Sequence, residues 1–71
     1  MLGKPKYNYK DIVRFKYKDT ELTGQVYIID KYGTFEQNEE TSYDVMVEGQ
    51  FRGLHKHIRE SELTLVKKEE E

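Results

Sequence analysis

Hydrophobic and polar residues alternate with a period of two in several short runs, the pattern of half-buried β-strands. In residues 11–17, Val13, Phe15 and Tyr17 share one face while Arg14 and Lys16 share the other. Residues 21–30 put Leu22, Gly24, Val26 and Ile28 on one face and Thr23, Gln25, Tyr27 and Ile29 on the opposite one. The later part of this run is apolar on both faces: either the strand is covered on both sides, or Tyr27 and Ile29 form an exposed patch. Residues 43–48 alternate cleanly, with Tyr43, Val45 and Val47 inward and Asp44, Met46 and Glu48 outward. A fourth strand is expected over residues 51–56 and a short last one over residues 63–66.

The punctuation between these runs fits a small closed sheet. Lys18-Asp19 suits a tight turn, because Asp tolerates turn geometry. Gly24 inside its strand marks a bulge or sharp bend, a device that small barrels use to turn a corner. Gly49-Gln50 matches a two-residue type II′ hairpin turn, and Gly53 a further bend. Residues 57–63 read as one helical turn, with Ile58 and Leu63 facing the core, Arg59, Glu60 and Glu62 in water, and Ser61 bonded to nearby backbone. Residues 31–42 form the longest loop, with a capping-box pattern at Thr34 and Gln37. Five short strands with a helical turn before the last predict a mainly β fold, a small five-stranded SH3-like barrel. An OB-like barrel is the rival, disfavoured by chain length and by the lack of a longer helix between its third and fourth strands.

Seventy-one residues make one domain,. Residues 1–9 are expected to form a flexible basic arm and residues 67–71 a frayed charged tail. Without cysteine, neither a disulfide nor a Cys-based zinc site is available,. The first residues lack the apolar run of a signal peptide and no stretch is apolar enough for a membrane span, so a cytoplasmic monomer is expected,. The net charge of −2 conceals an uneven layout. Residues 1–18 carry Lys4, Lys6, Lys10, Arg14, Lys16 and Lys18 against Asp11 alone. Residues 19–49 carry eight acidic side chains against Lys31, and the remainder sums to zero.

The segments Asp11-Ile12-Val13-Arg14-Phe15, Leu22-Thr23-Gly24-Gln25-Val26, Ser42-Tyr43-Asp44-Val45-Met46-Val47 and His57-Ile58-Arg59-Glu60-Ser61 occur in order along nearly the whole chain. In them the protein resembles the YorP family of small bacterial and prophage proteins. That resemblance implies five strands with a short helix between two of them, and a phage or prophage setting. It implies no activity and no site residues.

Catalytic chemistry has little footing. Ser42 and Ser61 stand in no nucleophile elbow, and the glycines are scattered at bends rather than gathered in a phosphate loop,. No enzyme activity and no cofactor are expected. His55 and His57 sit two apart, so on a regular strand both rings would face one side as a potential metal pair, with Glu60 or Glu62 to complete it. Nothing fixes a third ligand, and no metal site is assigned. The first functional reading is protein binding through Tyr27, Tyr32 and Phe35 beside Glu36 and Asp44, with Glu39 and Glu40 adding negative charge. Such a groove suits a basic or proline-rich segment. The alternative is nucleic-acid binding through Lys4, Lys6, Tyr7, Tyr9, Lys10, Arg14 and Lys16, where basic and aromatic residues interleave. The acidic net charge stands against it.

Overall fold

The computed structural model describes residues 4–30 and 40–69. Among them the chain forms β1 (Ile12–Tyr17), β2 (Thr20–Asp30), β3 (Ser42–Val47), β4 (Gly53–Arg59), a 3-10 turn (Glu60–Glu62) and β5 (Thr64–Lys67). All neighbours are antiparallel in one sheet of order β4-β3-β2-β1-β5. The expected mainly β architecture is therefore present, with its helical turn before the last strand. The loop set Tyr32, Phe35, Glu36 and Glu39, and the capping pattern at Thr34, lie outside the described residues.

The curl of the sheet follows from connectivity. β4 and β5 occupy opposite edges, yet only residues 60–63 separate them. A bridge of that length, partly in 3-10 geometry, reaches roughly 13 Å. The outer strands of a flat five-stranded sheet would lie about 19 Å apart. The sheet must bend its edges together, and the inward face becomes the core: Tyr7, Val13, Phe15, Leu22, Val26, Tyr43, Val45, Val47, Ile58 and Leu63. This is an SH3-like barrel.

Two bulges flank one residue. Between β2 and β3 the partners step from Val26↔Val45 to Ile28↔Asp44, leaving Tyr27 extra. Between β3 and β4 they step from Val45↔His55 to Tyr43↔Ile58, so Lys56 and His57 face Asp44 alone. His57 adopts φ +61, and its backbone N–H donates to Asp44 Oδ1 at 3.0 Å. The extra residue flips the phase of β2. Ile28, expected inside, is exposed, and Ile29 packs against the core instead.

Gly24 is thus not the bulge. It pairs in regular register with Val13 and Val47. A Cβ there would lie 2.5 Å from the Met46 carbonyl oxygen and 2.6 Å from Val45 Cγ1. Glycine is required because β3 backbone approaches closely.

Other turns follow or depart from expectation for local reasons. Tyr17 pairs with Thr20 across Lys18 and Asp19, both at positive φ, as a type I′ turn requires,. The β3–β4 connection is longer than two residues, since Val47 pairs with Gly53 and residues 48–52 make the loop. Phe51, expected to open the fourth strand, instead leaves the ladder at φ +57 and packs its ring on Tyr17.

Both ends of the described chain are tied down. Tyr7 is buried, its hydroxyl donates to the Leu63 carbonyl at 2.9 Å, and its ring packs edge-on against Tyr43. The picture of residues 1–9 as a flexible arm is corrected at that point. Asp11 is 1% exposed. Its carboxylate accepts the backbone N–H of Asn8 at 2.8 Å and of Glu69 at 2.9 Å, clasping arm to tail.

Gly24→Ala is expected to destabilise the fold by about 2–3 kcal/mol in urea denaturation. Val45→Ala will not rescue it, because the Met46 carbonyl still obstructs the Cβ. Asp11→Ala should cost about 3 kcal/mol through loss of two charge-assisted bonds, with faster amide exchange at Asn8 and Glu69 as the local signature.

A basic aromatic groove as the candidate binding surface

The described residues among those singled out by sequence are spread over several places. Tyr27 is exposed and tilts against Tyr9 at 6.2 Å, at the β2 bulge. Asp44 spends one oxygen on the His57 backbone N–H, and Glu40 accepts both the backbone N–H and the hydroxyl of Ser61 at 3.0 Å. Ser61 therefore anchors a distant segment rather than its own backbone. Of the basic set, Lys4 is exposed, Lys6 lies 5.7 Å from the Tyr7 ring centroid, and Lys10 lies 5.6 Å from that of Tyr9. Arg14 and Lys16 project from the exposed face of β1. Tyr7, assigned to base stacking by the sequence pattern, is in the core and out of reach.

The histidine pair is likewise split by circumstance. His55 packs edge-on against Tyr17 at 4.8 Å and Phe15 at 5.5 Å. Its Nε2 is 2.7 Å from the Phe51 carbonyl, which can only accept, so Nε2 carries the proton,. His57 sits exposed on the bulge. Glu60 is bonded to Tyr43 and the Lys6 N–H, and Glu62 to Arg59. Among the described residues no three His, Asp or Glu side chains converge to hold a metal ion.

Tyr43 is a perturbed acid. Burial raises its phenol well above the ordinary value near 10, and the hydrogen bond it donates to Glu60 Oε2 at 2.5 Å adds to this, with the negative charge of Glu60 a further contribution. Perturbed groups often mark working sites. This one is fully buried, and its oxygen also accepts the Tyr7 backbone N–H at 3.2 Å. It is structural, and it ties the arm to the 3-10 turn.

The surface that can receive something lies at the other end of β1. Tyr17, Phe51 and His55 line an open groove of about 760 Å³, together with Lys16, Arg52 and Lys56. The rings form a chain: Phe51 to Tyr17 at 5.2 Å, Tyr17 to His55 at 4.8 Å. Lys18 adds a cation 5.5 Å from the Tyr17 ring centroid. Among the described residues Glu62 is the one carboxylate in the lining, and it lies 3.5 Å from the Arg59 guanidinium. The His55 bond to the Phe51 carbonyl fastens the 48–52 loop over β4, so the groove is formed before any ligand arrives.

Sequence reading missed this site for two reasons. Phe51 fits the apolar pattern of a strand, and residues 50–71 sum to zero charge, which masks Arg52 and Lys56. The usable signal was the pairing of each ring with an adjacent cation: Lys16-Tyr17-Lys18, Phe51-Arg52 and His55-Lys56.

Fold and surface together define a small SH3-like barrel with an open, basic, aromatic groove. Comparison with family models, with curated proteins and with solved structures finds no match to the chain. Among the described residues no helix is long and apolar enough to cross a membrane.

The Tyr43 environment has an alkaline consequence. The folded chain keeps its phenol proton where the unfolded chain loses it, so this contribution is complete below about pH 10 and declines as pH rises toward the folded value,. Denaturation midpoints measured between pH 9 and 11.5 should fall more steeply for the native chain than for Tyr43→Phe. Parallel curves would remove this role from Tyr43.

Proposed function

We propose that this domain is a non-enzymatic interaction module that grips an anionic partner in the groove of Tyr17, Phe51 and His55. The observation that carries the reading is charge and ring surface in one place: three aromatic rings bordered by Lys16, Arg52 and Lys56, with Glu62, the lining carboxylate among the described residues, paired with Arg59. Two polar groups of the lining have partners there, His55 Nε2 on a backbone carbonyl and Glu62 on a guanidinium. The cations and rings that share the lining are suited to hold an anionic ligand,. The resemblance to the YorP family is compatible with such a module and suggests a phage or prophage setting.

A second, protein-facing reading draws support from Tyr27 and Ile28, exposed beside Tyr9 at the β2 bulge. Paired exposed aromatics of this kind are common anchors in protein interfaces. One titration separates the surfaces. A heparin-derived oligosaccharide should shift the amide signals of Phe51, Gly53, His55 and Lys56. The Arg52→Glu, Lys56→Glu double variant should weaken that binding about tenfold or more at low salt. Shifts confined to Tyr9, Tyr27 and Ile28 would move the working surface there.

A further inference from the structure

We infer that the groove takes single-stranded nucleic acid, an inference resting on the reading that the groove is the working surface. A strand of nucleic acid alternates a flat base with a phosphate. The groove offers both in one place: its lining sets the Tyr17, Phe51 and His55 rings with Lys16, Arg52 and Lys56, and the Lys18 ammonium stands 5.5 Å from the Tyr17 ring centroid. Phe51 is 39% exposed on its loop, and Tyr17 and His55 are half-buried, so ring surface reaches solvent at each step. Stacking of this kind accepts any base, because every base has a π face.

The competing anions fit less of this surface. An acidic peptide satisfies Lys16, Arg52 and Lys56 but offers its carboxylates no use for the rings. A duplex presents phosphates while its bases stay stacked inside, so Phe51 would be idle. The acidic residues that make the net charge negative are concentrated in residues 19–49, where the one lysine is Lys31. Among the described ones, Glu21 stands opposite Lys16 across the β1–β2 ladder and Asp44 faces Lys56 and His57, so they temper the cations of the groove. Binding should accordingly be short in reach, about three nucleotides, and weak enough to depend steeply on salt.

Fluorescence anisotropy of a labelled ten-nucleotide oligo-dT, at 50 to 300 mM salt, tests this against a duplex and an oligo-glutamate peptide of the same length. The single strand should bind at least fivefold tighter than either, with log K falling against log salt at a slope of about −2 to −3, as expected for three or four phosphates at −0.7 each. Phe51→Ala should weaken the single strand about tenfold and leave the weaker duplex binding unchanged. Phe51 lies outside the ladder, and an unchanged amide spectrum for the other residues will verify that the variant folds. Preference for oligo-glutamate, or single-strand binding indifferent to Phe51→Ala, overturns the nucleic-acid inference while leaving an anion-binding groove. No binding by any of the three polyanions, with no change at Phe51 or Lys56 amides, overturns the groove reading itself.

Discussion

The short crossing from β4 to β5 is the constraint on which the barrel depends. It takes the chain from one edge of the sheet to the other in four residues, and several of its polar groups are bonded to residues distant in sequence. The Glu60 N–H donates to the Thr41 carbonyl, its carboxylate receives Tyr43 and the Lys6 N–H, and Ser61 is held by Glu40. These bonds fasten the crossing to the start of β3 and to the N-terminal arm. Leu63 then drops into the core, with its carbonyl taken by Tyr7. In a domain this small the buried surface is limited, so such tethers matter more than in a larger one.

The groove is a by-product of the same economy at the opposite end. Ladder irregularities sharpen the curl of a twisted sheet, and two of the three here lie on either side of Asp44, the third between Ile12 and Val13 in the β1–β5 ladder,. On the β4 side the extra residue places Lys56 and His57 at the rim of the concavity. The long hairpin loop brings Phe51 back over Tyr17, and His55 locks it. Of the three rings, Tyr17 and His55 stand at regular ladder positions of β1 and β4, and Phe51 is brought to them by the loop, a binding surface on a rigid scaffold,.

Much of the architecture was legible in the chain. Strand alternation at Val13 and Phe15, and at Tyr43, Val45 and Val47, predicted the buried faces that are found. Ile58 and Leu63 were correctly inward about the helical turn. In β2 the reading failed because of a single inserted residue. Ile28 and Ile29 exchange sides because of the Tyr27 bulge, which leaves no mark in a pattern of apolar residues on both faces. Tyr7 looked like part of a solvated arm because lysines surround it, whereas its burial depends on partners 36 and 56 residues away. The candidate site was the least legible feature, since its rings and cations come from β1, the 48–52 loop and β4 and meet only when the sheet curls.

By itself, the sequence determined the number of strands, their approximate bounds, most inward faces and the turn before the last strand. Those properties are set by nearest neighbours: period-two alternation, turn-forming residues and one apolar pair about a helical turn. The tertiary structure alone decided where the ladders slip, why Gly24 must be glycine, that Asp11 clasps both ends of the chain, and which aromatic rings remain open. Each of these depends on what lies across the sheet, a distance that local pattern does not encode.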